Sequence, residues 1–363
     1  MGGVIVCGLF GMASKFTECT LGVKYRNENA DGTVSGGPMY YLSKAFKEKG
    51  HAKTGKILAV GFAIMTIFAA FGAGNMFQGN QANAMIVQTF GLAPGYGWIT
   101  GIIFAILLAG VIIGGMPSIG SVTSKLVPFM ATLYVGMAVI VLVSHYDQIG
   151  AAFEQIFIGA FTGAGVAGGF IGALIQGLKR ATFSNEAGVG SAAIAHSAVK
   201  TKEPITEGFV SLLEPFIDTV VICTMTALVI IISGMNTGAL SGVTLTAAAF
   251  TETSFIFEYF LALAVVMFAF STMVSWSYYG LKAWTYLFGE GATTELVYKG
   301  IFCLFVIVGT SISFGAVIDF SDAAMFSMSI FNIIGLYYLM PIVKKELNSF
   351  VARVNSGEIK RYK

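Results

Sequence analysis

The run Phe183-Ser184-Asn185-Glu186-Ala187-Gly188-Val189-Gly190-Ser191 places a carboxylate, an amide, two hydroxyls and two glycines inside a segment apolar enough to enter a bilayer. Each unsatisfied polar group in hydrocarbon costs several kcal/mol, so a lipid-facing helix would not carry that cluster. Glycine frees the backbone to leave the helix, and the main-chain N–H and C=O groups bared there become ligands for something small and polar. Taken alone, the same residues also read as a loop between two short helices of a soluble protein. Other polar residues stand in apolar runs. Asp218 has Glu214 four residues before it on the same helical face, and it either lines a cavity or makes a packing hydrogen bond. Asn75 and Gln78 share a face, with Gln81 three residues further on; Gln78 is assigned to a polar path, and Asn75, Asn80 and Gln81 to helix–helix contacts. Glu186 either binds a cation or pairs with Lys179 or Arg180 and braces the break, and bracing is the expectation. Lys15 and Glu18, three apart, read as an ion pair or a snorkelling pair. His196 is expected to pack at the inner end of its helix.

Composition decides what kind of element carries these groups. Of 363 residues, 56% are hydrophobic and 11% charged, with mean hydropathy +0.79. Soluble domains carry about 25% charged residues, so the chain reads as an all-α, polytopic membrane protein. Cys7, Cys19, Cys223 and Cys303 lie in apolar runs without metal-ligand spacing and read as small core residues. The hydropathy pattern gives about nine spans: 3–23, 57–90, 98–116, 126–144, 165–199, 208–233, 255–288, 300–317 and 323–343. The second breaks at 72–80. A long polar connection fills 24–56, a loop with a short surface helix 145–162, and a charged tail 344–363.

Charge placement orients this list. The connection 24–56 holds seven Lys and Arg, and Lys125, Lys200, Lys202, Lys299 and the tail follow on the same side. The opposite connections, 91–97, 145–162, 234–254 and 318–322, contain none. The positive-inside rule then puts the C-terminus in the cytoplasm and, with an odd number of spans, Met1 outside. Residues 1–25 are not expected to be a signal peptide, because Lys15 and Glu18 interrupt the apolar run. Span lengths repeat: short span, long loop, over-long span, two ordinary spans, first at 3–144 and again at 208–343. Copies entered from opposite sides are inverted repeats, whose discontinuous first helices build the site of a secondary transporter. The polar-interrupted helix precedes the second copy and nothing precedes the first. The expectation is one domain over 1–363, with a first-repeat remainder (1–145), a second repeat (163–343), the tail, and a missing partner for the central helix.

The stretches Gly11-Met12-Ala13-Ser14-Lys15-Phe16-Thr17-Glu18, Tyr25-Arg26, Asp31-Gly32, Gly36-Gly37-Pro38-Met39-Tyr40-Tyr41-Leu42, Gly74-Asn75 with Gln78, and Arg180 through Phe183–Gly188 to Ala195-His196 carry a likeness. Together they resemble the alanine/glycine:cation symporter family (sodium:alanine symporters) over essentially the whole chain. The resemblance implies a LeuT-like inverted-repeat bundle in the cell membrane that imports alanine or glycine with sodium. It also implies an upstream broken helix bearing Gly-Thr-Gly-Asn, a motif this sequence does not contain.

A small zwitterion needs two poles. Backbone N–H groups at a half-helix N-terminus, here Ala187, Gly188, Gly190 and Ser191, suit its carboxylate. The Asn185 carbonyl or Gln78 suits its ammonium, with Ser184 beside them. Sodium prefers hard oxygens; Ser271 and Thr272 resemble the hydroxyl pair of LeuT-like sodium sites, although helix-interior hydroxyls also bond back to their own backbone. Trp276, four residues from Thr272, is positioned to wall the pocket or simply to pack. No cofactor is expected beyond a coupling sodium ion, and no nucleic-acid partner. An enzyme would need a nucleophile with its base or a metal set, and neither motif is present. The alternatives are a truncated, transport-inactive family member and a proton-coupled permease or channel.

Overall fold

The structure, a computed structural model, describes residues 1–29, 32–93, 95–161, 170–237 and 240–359. Asp31 of the family-like motif, the start of the expected fifth span and the last residues of the tail lie outside the described residues. Helix α1 (Gly2–Lys24) buries Gly8, Gly11, Lys15, Glu18 and Gly22, which recur at helical spacing on one face. The glycines permit close approach: a Cβ on Gly8 would meet Val220 at 2.9 Å, on Gly11 Ala187 at 3.0 Å, and on Gly22 the Ala193 carbonyl at 2.8 Å. Strands β1 (Asn27–Glu28) and β2 (Val34–Ser35) form a minimal antiparallel pair. Helix α2 (Pro38–Glu48) follows, with proline in its first turn where a missing N–H costs nothing.

Helix α3 (Ala52–Phe71) runs through a π-helical turn, Gly72–Met76, into α4 (Phe77–Phe90). The break expected at 72–80 is therefore a π bulge in one continuous rod. Asn75, at the bulge, donates to the Phe302 carbonyl at 2.5 Å, and Asn80 donates to those of Gly309 (3.0 Å) and Ile312 (2.9 Å). Gln81 accepts the Val243 N–H at 3.0 Å and donates to Asn80. These amides join helices, as their positions implied.

The remaining helices are α5 (Gly97–Ile112), α6 (Gly115–Ser144), α7 (Ile149–Phe161), α8 (Phe170–Asn185), α9 (Ser191–His196), α10 (Pro204–Ser211), a π-helical stretch Pro215–Ile222, α11 (Cys223–Ile232), α12 (Val243–Thr251), α13 (Ile256–Phe288), α14 (Ala292–Ser311) and α15 (Phe314–Asn355). Seven units among the described residues are long and apolar enough to cross a membrane: α1, Ala52–Phe90, α6, Pro204–Ile232, α13, α14 and α15. Of the nine expected spans, the third is the shorter apolar helix α5, and the fifth lies in two pieces, α8 and α9. Residues 318–322, expected as a connection, are helical within α15, and Lys299 sits inside α14 rather than in a loop. Within the stretch 318–322, Asp322 is met by Arg180, which donates to both carboxylate oxygens at 2.7 Å.

The main core joins α2, α3, α5, α13, α14 and α15, with Phe71 stacked on Phe305 at a centroid separation of 4.4 Å. Large apolar side chains on the outward faces, among them Phe10, Ile106, Val143, Leu304 and Tyr337, are exposed. That pattern suits hydrocarbon as solvent. The four cysteines are free thiols.

Beyond the apolar band, Arg353 on α15 holds Glu203 through two bonds, 2.8 and 2.6 Å. The guanidinium lowers the Glu203 carboxyl below its ordinary value. A depressed carboxyl contributes stability above its unfolded pKa and loses it as pH falls through the folded one. Arg353→Gln is therefore expected to lower the melting temperature of detergent-solubilised protein at neutral pH. It should leave the melting temperature unchanged in acid below the carboxylate range.

Candidate functional site

Helix α8 ends at Asn185 and α9 begins at Ser191. Between them Glu186 takes φ +54°, Gly188 +78° and Gly190 +96°. A left-handed glutamate is uncommon, and its side chain shows what holds it there. One carboxylate oxygen accepts the Trp276 indole N–H at 3.0 Å, and the other accepts the Ser191 hydroxyl. Glu186 thus bridges the two half-helices to α13. Its expected partners Lys179 and Arg180 both turn to Asp322 instead. The expected pairing with a cation does not form, and Glu186 is held by neutral donors from α13 and α9.

The broken ends are capped by side chains. The Asn185 Oδ1 accepts the Ala187 N–H at 2.9 Å, and its main-chain carbonyl accepts from the Lys15 ammonium at 2.7 Å. A cation there opposes the negative end of the α8 dipole. Lys15 also pairs with Glu214 at 3.0 Å, and Glu18 is held by Asn332 at 2.9 Å. The expected Lys15–Glu18 pair therefore does not form; each reaches a different element. Glu214 in turn meets His196 Nε2 at 2.8 Å, while His196 Nδ1 meets Glu207 at 2.5 Å. His196 is a polar bridge rather than a packing residue. On the α8 side, the Ser184 hydroxyl donates to Asp218 and lies 2.9 Å from the Thr219 hydroxyl.

A cavity of about 420 Å³ opens onto these groups, lined by Lys15, Ser184, Asn185, Glu186, His196, Glu214, Asp218 and Thr272 with a few apolar neighbours. Three carboxylates against one lysine and one histidine favour cationic guests. A cavity of about 650 Å³ lies elsewhere, toward Lys200, Lys282 and Lys299, and contains no part of the break. The smaller cavity is the better candidate because the interrupted helix and the buried charges meet there.

A family model described as the sodium:alanine symporter family matches residues 3–363. The chain belongs to this family. It is 40% identical over 350 residues, 95% of this chain and 76% of the relative, to the sodium/alanine symporter AgcS of Methanococcus maripaludis. The uncharacterized transporter YflA of Bacillus subtilis is 35% identical over 94% of this chain and 72% of its own length. The probable sodium/glutamine symporter GlnT of the same species is 30% identical over 97% and 72%. The protein is accordingly a multi-pass, cation-coupled amino-acid transporter and not an enzyme.

Against that family membership, the residues singled out by sequence sort into groups. Ser184, Asn185, Glu186, Asp218 and Thr272 line one cavity, with Glu214. Ala187, Gly188, Gly190 and Ser191 form the break itself, with the glycines and Ser191 buried. The N–H groups of Ala187 and Val189 already bond to Asn185 Oδ1 and the Glu186 carbonyl, so those two do not await a carboxylate. Trp276 is buried and holds Glu186. The hydroxyl pair is split: Ser271 bonds the Phe268 carbonyl and approaches Met130, while Thr272 faces the cavity. Adjacent residues on a helix point about 100° apart, so this follows from geometry. Gln78 donates back to the Ala73 carbonyl at 3.0 Å and lines a different cavity with Gln81 and Tyr134. Asn75 is buried in a helix contact. Sequence reasoning missed Asn332, which holds Glu18, and Tyr279, which also lines the cavity; only polar residues within apolar helices could have pointed to them.

Proposed function

We propose that this chain is a sodium-coupled secondary transporter that imports a small neutral amino acid, alanine or glycine, by alternating access in the cell membrane, with its C-terminus cytoplasmic. The observation that carries it is the interruption of a helix at Glu186–Gly190 beside a cavity with three carboxylates. Ser184, Asp218 and Thr272 supply hard oxygens for a monovalent ion. Glu186 and Asp218 supply negative charge opposite an ammonium, and Lys15 lies where a carboxylate would be attracted. Discontinuous helices around such sites belong to inverted-repeat folds of the LeuT type, and the second repeat here would start with α8 and α9. The names of the relatives AgcS and GlnT support sodium coupling. They differ in the amino acid, and a small one is proposed here because two glycines, Gly188 and Gly190, stand in the break.

One positive charge moved through 100 mV provides ~2.3 kcal/mol, about fiftyfold accumulation. The test is uptake of labelled alanine, glycine and glutamine into proteoliposomes of the full chain, with sodium or potassium outside and with or without a proton gradient. Sodium-dependent alanine uptake several-fold above the potassium control is expected. Uptake that follows only the proton gradient would replace sodium by protons, for which His196 between two glutamates supplies a chemical basis. No concentrative uptake under any gradient would overturn the proposal.

A further inference from the structure

The cavity-facing side of the break is held by charges; its far side is held by one amide. Asn332 on α15 is fully buried, and its Nδ2 donates both to the Gly188 carbonyl at 3.0 Å and to Glu18 Oε2 on α1 at 2.9 Å. Its Oδ1 accepts the hydroxyl of Tyr41 on α2. Both amide hydrogens are thus committed, and the carbonyl oxygen is taken by a third element. The fit is close, since a Cβ on Gly190 would stand 3.0 Å from Asn332 Cγ. A buried main-chain carbonyl outside any helix needs a partner, and for Gly188 this side chain is that partner.

We propose that Asn332 is a positioning residue for transport: it fixes the Gly188 carbonyl, and with it the path from Glu186 to Ser191, against α1, α2 and α15. It lines no part of the cavity and acts through Gly188. The proposal rests on the transport reading above. Without the amide, the segment must be ordered by the arriving solute itself, and that ordering is subtracted from affinity. The effect belongs in KM more than in the amount of folded protein.

Two readouts on the full chain test this. In proteoliposomes, normalised to protein that is monodisperse on size exclusion, Asn332→Asp should raise the KM for alanine about tenfold. Aspartate keeps the acceptor for Tyr41 but donates nothing and sets a second carboxylate against Glu18, with Lys15, Glu186 and His196 as the next charged groups around Glu18. Lowering the assay from about pH 7.5 to about pH 5.5 should narrow the gap to wild type, because a protonated aspartic acid donates once more. The double variant Glu18→Gln/Asn332→Asp restores one bond with reversed polarity and should recover part of the loss. The second readout does not need transport: hydrogen exchange of the peptide covering 184–191 should speed up in Asn332→Asp and Asn332→Ala. A wild-type KM, unchanged by pH relative to wild type, together with unchanged exchange overturns the inference. So does a loss confined to the yield of folded protein. Faster exchange in a chain whose wild type does not transport keeps the positioning role and overturns the transport reading alone.

Discussion

Lys15→Met is expected to lower sodium-dependent uptake about a hundredfold and to melt the protein at a lower temperature. The ammonium is buried and bonds the last carbonyl of α8 at 2.7 Å and Glu214 at 3.0 Å. Methionine fills similar volume but leaves that carbonyl without its donor and leaves the cavity with three carboxylates and His196. Removing one member of a buried pair costs about 3–5 kcal/mol. Glu214 is nearly half exposed, so water screens part of this and the lower end applies, about 3 kcal/mol, or roughly a hundredfold. Lys15→Arg keeps the charge with a different reach and should retain more activity than methionine. Uptake per folded molecule and thermal unfolding in detergent measure the two parts. A methionine variant with wild-type uptake would show that Lys15 does not organise the site.

The second large effect comes from a single methyl group. Gly190 has φ +96°, and a Cβ there would lie 2.7 Å from Pro38 Cγ and 2.8 Å from Phe62 Cε2. A left-handed alanine costs about 1–2 kcal/mol and overpacking a further 1–3, so Gly190→Ala should destabilise by about 3 kcal/mol and abolish uptake. Gly188 provides the internal comparison. It shares the left-handed backbone (φ +78°), but its nearest neighbour to an added Cβ is Ile333 at 3.7 Å. Gly188→Ala should therefore cost only about 1 kcal/mol. Equal melting temperatures for the two variants would mean that α2 and α3 do not press on the break as described.

How much of this was legible beforehand varies with the kind of interaction. The interruption at 184–191 was readable, because a carboxylate, an amide and glycines cannot lie against lipid in a continuous helix. Helix contacts through Asn75 and Asn80 were readable for the same reason. The partners of Glu186 were not. Helical spacing pointed to Lys179 and Arg180, but the chain leaves the helix at residue 186 and the spacing rule lapses there. Those two cations meet Asp322, about 140 residues later, in a stretch expected to be a connection but helical within α15. Lys15 and Glu18 failed likewise: three apart on a helix, they nevertheless face different elements, because α1 lies in a crevice between the broken helix, α10 and α15.

By itself the sequence determined that the chain is apolar and helical, and which stretch cannot remain an intact helix. These follow from local terms, namely hydropathy summed over a span and the cost of baring polar groups to hydrocarbon. Only the tertiary structure decided which charge answers which: Lys15 to Asn185 and Glu214, Glu186 to Trp276 and Ser191, Gly188 to Asn332. In a low-dielectric interior every buried polar group must find a partner, but several candidates satisfy that need equally well. The choice among them belongs to helix packing, which the positions of small residues permit but do not order.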